Sequence, residues 1–261
     1  MMAYSGGLSN YSVLTSPMHQ PQSKWTTLFS AVVVAMSVIQ PVQAELLEKT
    51  KRVGRTTVRY KVVLPGGYDP GRTYPAVLVF GGGPQTMNTV DGVLNRNFRA
   101  EAEKRGYIVI APAAPDDQLF FKAGARIFPE FLTMILKDYK IQDNKFHIAG
   151  PSNGGIAAFQ VAAANPQYFL SVTAFPGFMW EPSQAKLQAI SNMCVFMYVG
   201  EHDEYRWHSE MKEEAEFLRS IGTVARYTVE LGQPHRLETL AGAHAGRLFD
   251  GFEETKKGCR Q

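Results

Sequence analysis

Acidic residues are missing from the first 44 positions of this 261-residue chain, and Lys24 is the only lysine or arginine among them. After Lys24 comes the apolar run WTTLFSAVVVAMSVI (25–39), then Gln40-Pro41 and the small-residue site Val42-Gln43-Ala44. A positive residue, an apolar stretch of about 7–15 residues and a V-x-A cut follow the order of a secretory signal. The sequence therefore reads as an N-terminal extension and signal peptide over 1–44, then a single domain over 45–261, exported or secreted after cleavage near Ala44. The alternative is an uncleaved membrane anchor, for which the run is short against the roughly 20 residues a span needs. Met18 offers a second translation start that would shorten the segment ahead of the signal.

Cysteine is scarce too, with only Cys194 and Cys259 present. No C-x-x-C pair and no histidine cluster appears, so no metal site and no cofactor are expected. An exported protein meets an oxidising compartment, where the two thiols can form one disulfide. Cys194 lies in an apolar run and reads equally well as a small buried hydrophobe. The lysines and arginines are scattered and the net charge is only +3, with no basic stripe to bind nucleic acid. No charged cluster identifies an anionic substrate. There is no internal repeat, no second apolar segment long enough to span a bilayer, and no feature that implies a stable protein partner.

What is there is an ordinary globular composition, 45% apolar and 20% charged, with enough material for a full core. Strand-like runs at 56–64, 75–80, 107–111, 145–149, 170–174, 194–199 and 225–231 alternate with helical patterns at 92–105, 127–139, 154–165, 209–221 and 245–257. Ile221-Gly222 reads as a helix stop. Several strands are continuously apolar, as expected when helices cover both faces of a sheet. The expected fold is α/β, a mostly parallel doubly wound sheet whose ligand-binding loops lie along one edge.

On that edge stands FHIAGPSNGG (146–155), in which Gly150 and Gly154 flank Ser152 as G-x-S-x-G. A strand-to-helix turn tight enough to expose one hydroxyl strains that residue, and side chains two positions away would meet the crossing backbone. Taken alone, the motif is also compatible with a glycine-rich turn and an incidental serine. A serine nucleophile needs a base and a group to orient that base, in the chain order Ser, Asp or Glu, His. The loop after 194–199 reads GEHDE and offers Glu201, Asp203 and Glu204; the loop after 225–231 reads GQPHR and offers His235. His244 is the rival base, nine residues further on where apolar periodicity is starting. His147 reads as a core residue, and His202 and His208 as surface residues. Phe178 and Trp180 suit either a substrate pocket or the core. Oxyanion donors are expected from the N–H of Asn153 and from the glycine loop FGGGP (80–84), which lacks the spacing of a phosphate-binding loop.

Together these stretches resemble an α/β-hydrolase, closest to secreted esterases of the polyhydroxybutyrate-depolymerase and feruloyl-esterase type. YKVVLPGGYDPGRTYPAVLVFGGG is similar to that group's entry into the core, GPSNGG to its nucleophile elbow, VGEHDE to its acid loop and LGQPHRL to its histidine loop. The resemblance runs over residues 55–257. It implies Ser152 as nucleophile, Asp203 as acid, His235 as base, and Gly82 or Gly83 with Asn153 as the oxyanion donors. It also implies an acyl-enzyme route through a small or polymer-borne ester. A peptidase of the prolyl-oligopeptidase type and a non-catalytic binding protein that kept the scaffold are the other readings. Two positions depart from the family: Phe80 stands where histidine usually precedes the glycines, and Pro151 precedes the nucleophile.

Overall fold

The computed structural model describes Ser12 and residues 44–260. The expected signal peptide lies outside the described residues except for Ala44, which directly precedes the first strand. No described helix is long and apolar enough to cross a membrane.

Eight strands form one sheet: β1 (Glu45–Val53), β2 (Thr56–Leu64), β3 (Ala76–Val79), β4 (Ile108–Pro112), β5 (Phe146–Gly150), β6 (Phe169–Ala174), β7 (Cys194–Gly200) and β8 (Ala225–Glu230). Their order is β1-β2-β4-β3-β5-β6-β7-β8. β1 and β2 pair antiparallel, β2 meets β4 antiparallel, and every other pairing is parallel. The α/β sheet expected from the alternating pattern is therefore observed. The chain winds from β3 outward to β4, then crosses back over β3 to β5. Loops leaving β3 and β5 diverge at this reversal and open a crevice, the usual place for a ligand in such sheets.

Alternation along the strands supplies two cores. Ala76 and Leu78 of β3 pack with Ile108 and Ile110 of β4 on one face, while Val77, Val79 and Val109 pack on the other. The first face is covered by α3 (Phe128–Asp138), α4 (Asn153–Ala164), α5 (Gln184–Ala189) and α6 (His208–Ser220). The second is covered by α1 (Met87–Val93), α2 (Arg99–Arg105) and α7 (Gly246–Glu254).

Three elements differ from the sequence expectation. β1 was not anticipated: its charged residues, Glu45, Glu48, Lys49, Lys51 and Arg52, hide the period of a strand, and charge of this kind suits a sheet edge. α5 is short, and Ser183 caps it by accepting from the Lys186 N–H at 3.3 Å. The helix expected over 92–105 begins five residues earlier, and a π turn at Leu94–Phe98 separates α1 from α2.

Cys194 of β7 and Cys259 form a disulfide with 4.6 Å between their Cα atoms. The bridge ties the last residues to the sheet, where the Cys259 carbonyl also accepts from the Val224 N–H at 3.0 Å.

Candidate active site

Ser152 sits between β5 and α4 with φ 55° and ψ −127°, a conformation that non-glycine residues rarely hold. Its N–H donates to the Pro176 carbonyl at 2.7 Å, which locks the turn. The flanking glycines are sterically required. A Cβ on Gly150 would lie 2.6 Å from the Gly154 carbonyl carbon, and one on Gly154 would lie 2.6 Å from the Phe80 carbonyl oxygen. The turn is packed so tightly against the end of β3 that only hydrogen fits at these two positions.

Asp203 and His235 meet although 32 residues separate them: His235 Nδ1 lies 2.9 Å from Asp203 Oδ1. The Asp203 side chain is fully buried and that of His235 is 12% exposed. A carboxylate can only accept, so Nδ1 carries a hydrogen, and in the neutral imidazole Nε2 then keeps its lone pair. His235 Nε2 is buried and has no hydrogen-bond partner among the described residues. Tyr205 and Trp207, from the loop that carries Asp203, stand edge-on to the imidazole at ring distances of 4.5 and 4.8 Å.

The two rival carboxylates contact backbone instead. Glu201 Oε2 accepts from the Gly232 N–H at 2.8 Å, and Glu204 Oε2 accepts from the His235 N–H at 3.0 Å. The latter bond holds the Glu204 carboxyl below the usual carboxylate range. Both brace the histidine loop from outside. His244 is exposed at the end of a short 3-10 turn.

His147 is buried, hydrogen-bonded through Nδ1 to Ser171 Oγ at 2.8 Å and stacked on Phe252. His202 is exposed beside Glu201. His208 differs from the surface residue expected: it is half-buried, and its Nε2 reaches the Gly200 carbonyl at 2.8 Å, beneath the acid loop.

The glycine loop and the elbow are joined. A Cβ on Gly82 would lie 3.2 Å from the Pro151 carbonyl oxygen and 3.6 Å from Ser152 Cβ. Asn153 Nδ2 donates to the Gly83 carbonyl at 2.9 Å. The backbone N–H groups of Gly82, Gly83 and Asn153 have no hydrogen-bond partner among the described residues, which leaves them free to donate to a ligand.

Phe80 is buried against Phe120 and Phe128, so no polar group supports the loop at that position. Gln85 takes over that task. It is fully buried with φ 55°; its Nε2 donates to the Asn153 carbonyl at 3.3 Å and its Oε1 accepts from the Phe120 N–H at 2.8 Å. Sequence reasoning missed Gln85, because a lone glutamine in a loop carries no periodic signal.

A cavity of about 390 Å³ opens beside Gly82 and Pro151, a size that suits a small-molecule ligand. Phe178 and Trp180 do not line it. Phe178 packs on Trp207 at 5.1 Å and Trp180 on Phe121 at 5.6 Å. The π turn borders the cavity and is bonded to the histidine loop: Asn97 Nδ2 donates to the Leu240 carbonyl at 2.7 Å, and Arg96 Nη2 to the Leu237 carbonyl at 3.4 Å.

No family model matches the chain. Among curated proteins, dipeptidyl-peptidase 5 of Porphyromonas gingivalis is 30% identical in an alignment 128 residues long that covers 44% of this chain and 19% of that protein. The chain thus spans about a fifth of the length of the curated relative it matches. Among solved structures, a thermostable esterase superposes with a TM-score of 0.64 at 17% identity, over 82% of this chain and 63% of that one. A ferulic acid esterase gives 0.62 at 17% identity, over 83% and 98% of the two chains. These likenesses establish the fold, and the chain has the α/β-hydrolase architecture.

Proposed function

We propose that the protein is a serine hydrolase that cleaves carboxylic esters through an acyl-enzyme. The observation that carries this reading is the buried Asp203–His235 pair, whose Nε2 has no hydrogen-bond partner among the described residues. It stands on the sheet edge that also holds Ser152 in its strained turn. His235 takes the proton of Ser152 as Oγ attacks the ester carbonyl carbon. Asp203 fixes the imidazole in the tautomer that leaves Nε2 free and stabilises the cation that forms. The N–H groups of Asn153 and of Gly82 or Gly83 receive the oxyanion. The tetrahedral intermediate collapses, and the alcohol leaves with the proton from His235. Water, deprotonated by the same imidazole, then attacks the acyl carbonyl. The carboxylic acid departs and Ser152 regains its proton.

The likeness to a dipeptidyl-peptidase over 128 residues favours one second reading, amide hydrolysis by the same groups. Export is part of the proposal, with a mature N-terminus near Glu45, the first residue of β1.

The test is covalent capture followed by a substrate panel. A fluorophosphonate should label the wild type and not a folded Ser152→Ala variant. Hydrolysis should favour nitrophenyl, cinnamoyl or acetyl-sugar esters over peptide amides. Labelling at another residue would overturn the nucleophile, and faster cleavage of peptide amides would replace the ester reading with the peptidase one.

A further inference from the structure

The walls of the 390 Å³ cavity include Gly82 of the glycine loop, Pro151 of the elbow, and the apolar side chains Phe175 and Leu237. The described wall carries two charged side chains, Arg96 and Arg236, which lie 140 positions apart in sequence. Among the described residues, no carboxylate lines the cavity. Arg96 comes from the π turn and Arg236 immediately follows His235, so the two guanidiniums converge only because the histidine loop docks on that turn.

One carboxylate serves both. Glu238 Oε1 lies 2.5 Å from Arg96 Nη2 and 3.7 Å from Arg236 Nε. Two positive charges share one negative charge, and one unit of positive charge remains at the cavity. The Arg96 side chain is 22% exposed, that of Arg236 73%. Arg96 is thus the better desolvated of the two, and an anion beside it meets less competition from water.

Resting on the esterase reading above, we propose that the substrate is an ester bearing a second, anionic group, a carboxylate, which Arg96 and Arg236 bind in this cavity while Ser152 attacks the ester carbonyl. Arg96 can release part of its hold on Glu238 to a substrate carboxylate, and a guanidinium presents several N–H donors in a planar fork suited to that exchange. The apolar walls accommodate the methylene or aromatic spacer between the two ends. Preference for the anion should weaken as ionic strength rises, because the mouth of the cavity is open to solvent.

The test compares matched ester pairs on the full mature protein. Monomethyl glutarate against methyl valerate places the carboxylate on the acyl side, and 3-acetoxybenzoate against 3-methylphenyl acetate places it on the alcohol side. The expected result is a kcat/KM ratio of anionic to neutral ester of about ten or more in one pair, the scale of a partly exposed charge-assisted contact. Arg96→Gln should lower that ratio about tenfold. Glu238→Gln should raise it, by freeing both guanidiniums. If the three residues only hold the histidine loop in place, the two variants shift the ratio alike or not at all, and the inference falls. Ratios near or below one in both pairs, with fluorophosphonate labelling and neutral-ester hydrolysis intact, also overturn it and leave the esterase reading standing. Loss of labelling together with failure to hydrolyse all four esters overturns both.

Discussion

Replacing Asp203 with asparagine isolates the charge of the acid from its geometry. Asp203 Oδ1 accepts two bonds, from His235 Nδ1 and from the Tyr205 N–H, each at 2.9 Å. An asparagine that keeps its carbonyl oxygen there retains both bonds and the tautomer with Nε2 free. Its amide nitrogen then falls where Asp203 Oδ2 lies, buried and without a hydrogen-bond partner among the described residues. What disappears is the negative charge opposite the imidazolium that forms during attack. At about 4 Å and an effective dielectric constant of about 20, that attraction is about 4 kcal/mol, or about a thousandfold in rate. Asp203→Asn should therefore lower kcat for a nitrophenyl ester by about a thousandfold with KM little changed. Glu201→Gln and Glu204→Gln, whose carboxylates accept from backbone N–H groups and not from the His235 ring, should each cost less than about tenfold. Circular dichroism should show all three folded. A loss below tenfold for Asp203→Asn, or a larger loss from either glutamate, would refute the assignment of the acid.

His235→Ala should lower kcat by about three or more powers of ten, the scale of losing a triad member, while His244→Ala should change it by less than about tenfold because its ring is exposed. Removing the disulfide with Cys194→Ala and Cys259→Ala should destabilise the domain by up to about 4 kcal/mol in urea melts, since the bridge closes a loop of 65 positions. Burial pushes the His147 imidazole down to about 3 from its ordinary 6.5, so the fold holds it neutral. Stability should be complete above about pH 6.5 and fall as the pH drops toward 3, by about 2 kcal/mol at pH 5, a limb that His147→Gln should flatten. Burial pushes the Glu214 carboxyl up to about 8, against the pull of the Met179 N–H that it accepts at 2.9 and 3.0 Å. Its contribution is complete below about pH 4.5 and lost as the pH rises toward 8, so Glu214→Gln should raise the melting temperature at pH 8–9 relative to wild type.

The parallel part of the sheet was legible because most of its strands, β3 to β7, are largely apolar runs covered on both faces, and covered strands need no alternation to announce themselves; the edge strand β8, ARYTVE, is the exception. The elbow was legible for a different reason. Its glycines answer to local backbone collisions that a five-residue pattern can express, and the structure places those collisions at Gly150 and Gly154. β1 escaped because an edge strand is held by pairing to β2, and its side chains were free to be charged. The order of the loops brought Glu201, Asp203, Glu204 and His235 forward as candidates, and the family resemblance singled out Asp203 among the carboxylates without a physical reason for the choice. Glu201 and Glu204 sit within a residue or two of Asp203, and only the geometry of the docked histidine loop separates a carboxylate facing a ring nitrogen from one facing a backbone N–H.

The cavity was the least legible feature, for a reason intrinsic to its construction. Arg96 reads as one cation on an amphipathic helix, and Arg236 as one cation in a loop. Neither belongs to a cluster along the chain, so a search for charge runs passes over both. They converge because the 87–105 helix does not stay α-helical. Its π turn carries Asn97, whose amide is spent on the Leu240 carbonyl, and Arg96, which reaches the Leu237 carbonyl. Those two bonds anchor the segment after His235, so the turn that holds the proposed base in place also sets the charge of the cavity beside it. A substitution that straightened the turn would be expected to disturb catalysis and substrate preference together. Glu238→Gln, which leaves both backbone anchors intact, should alter preference alone.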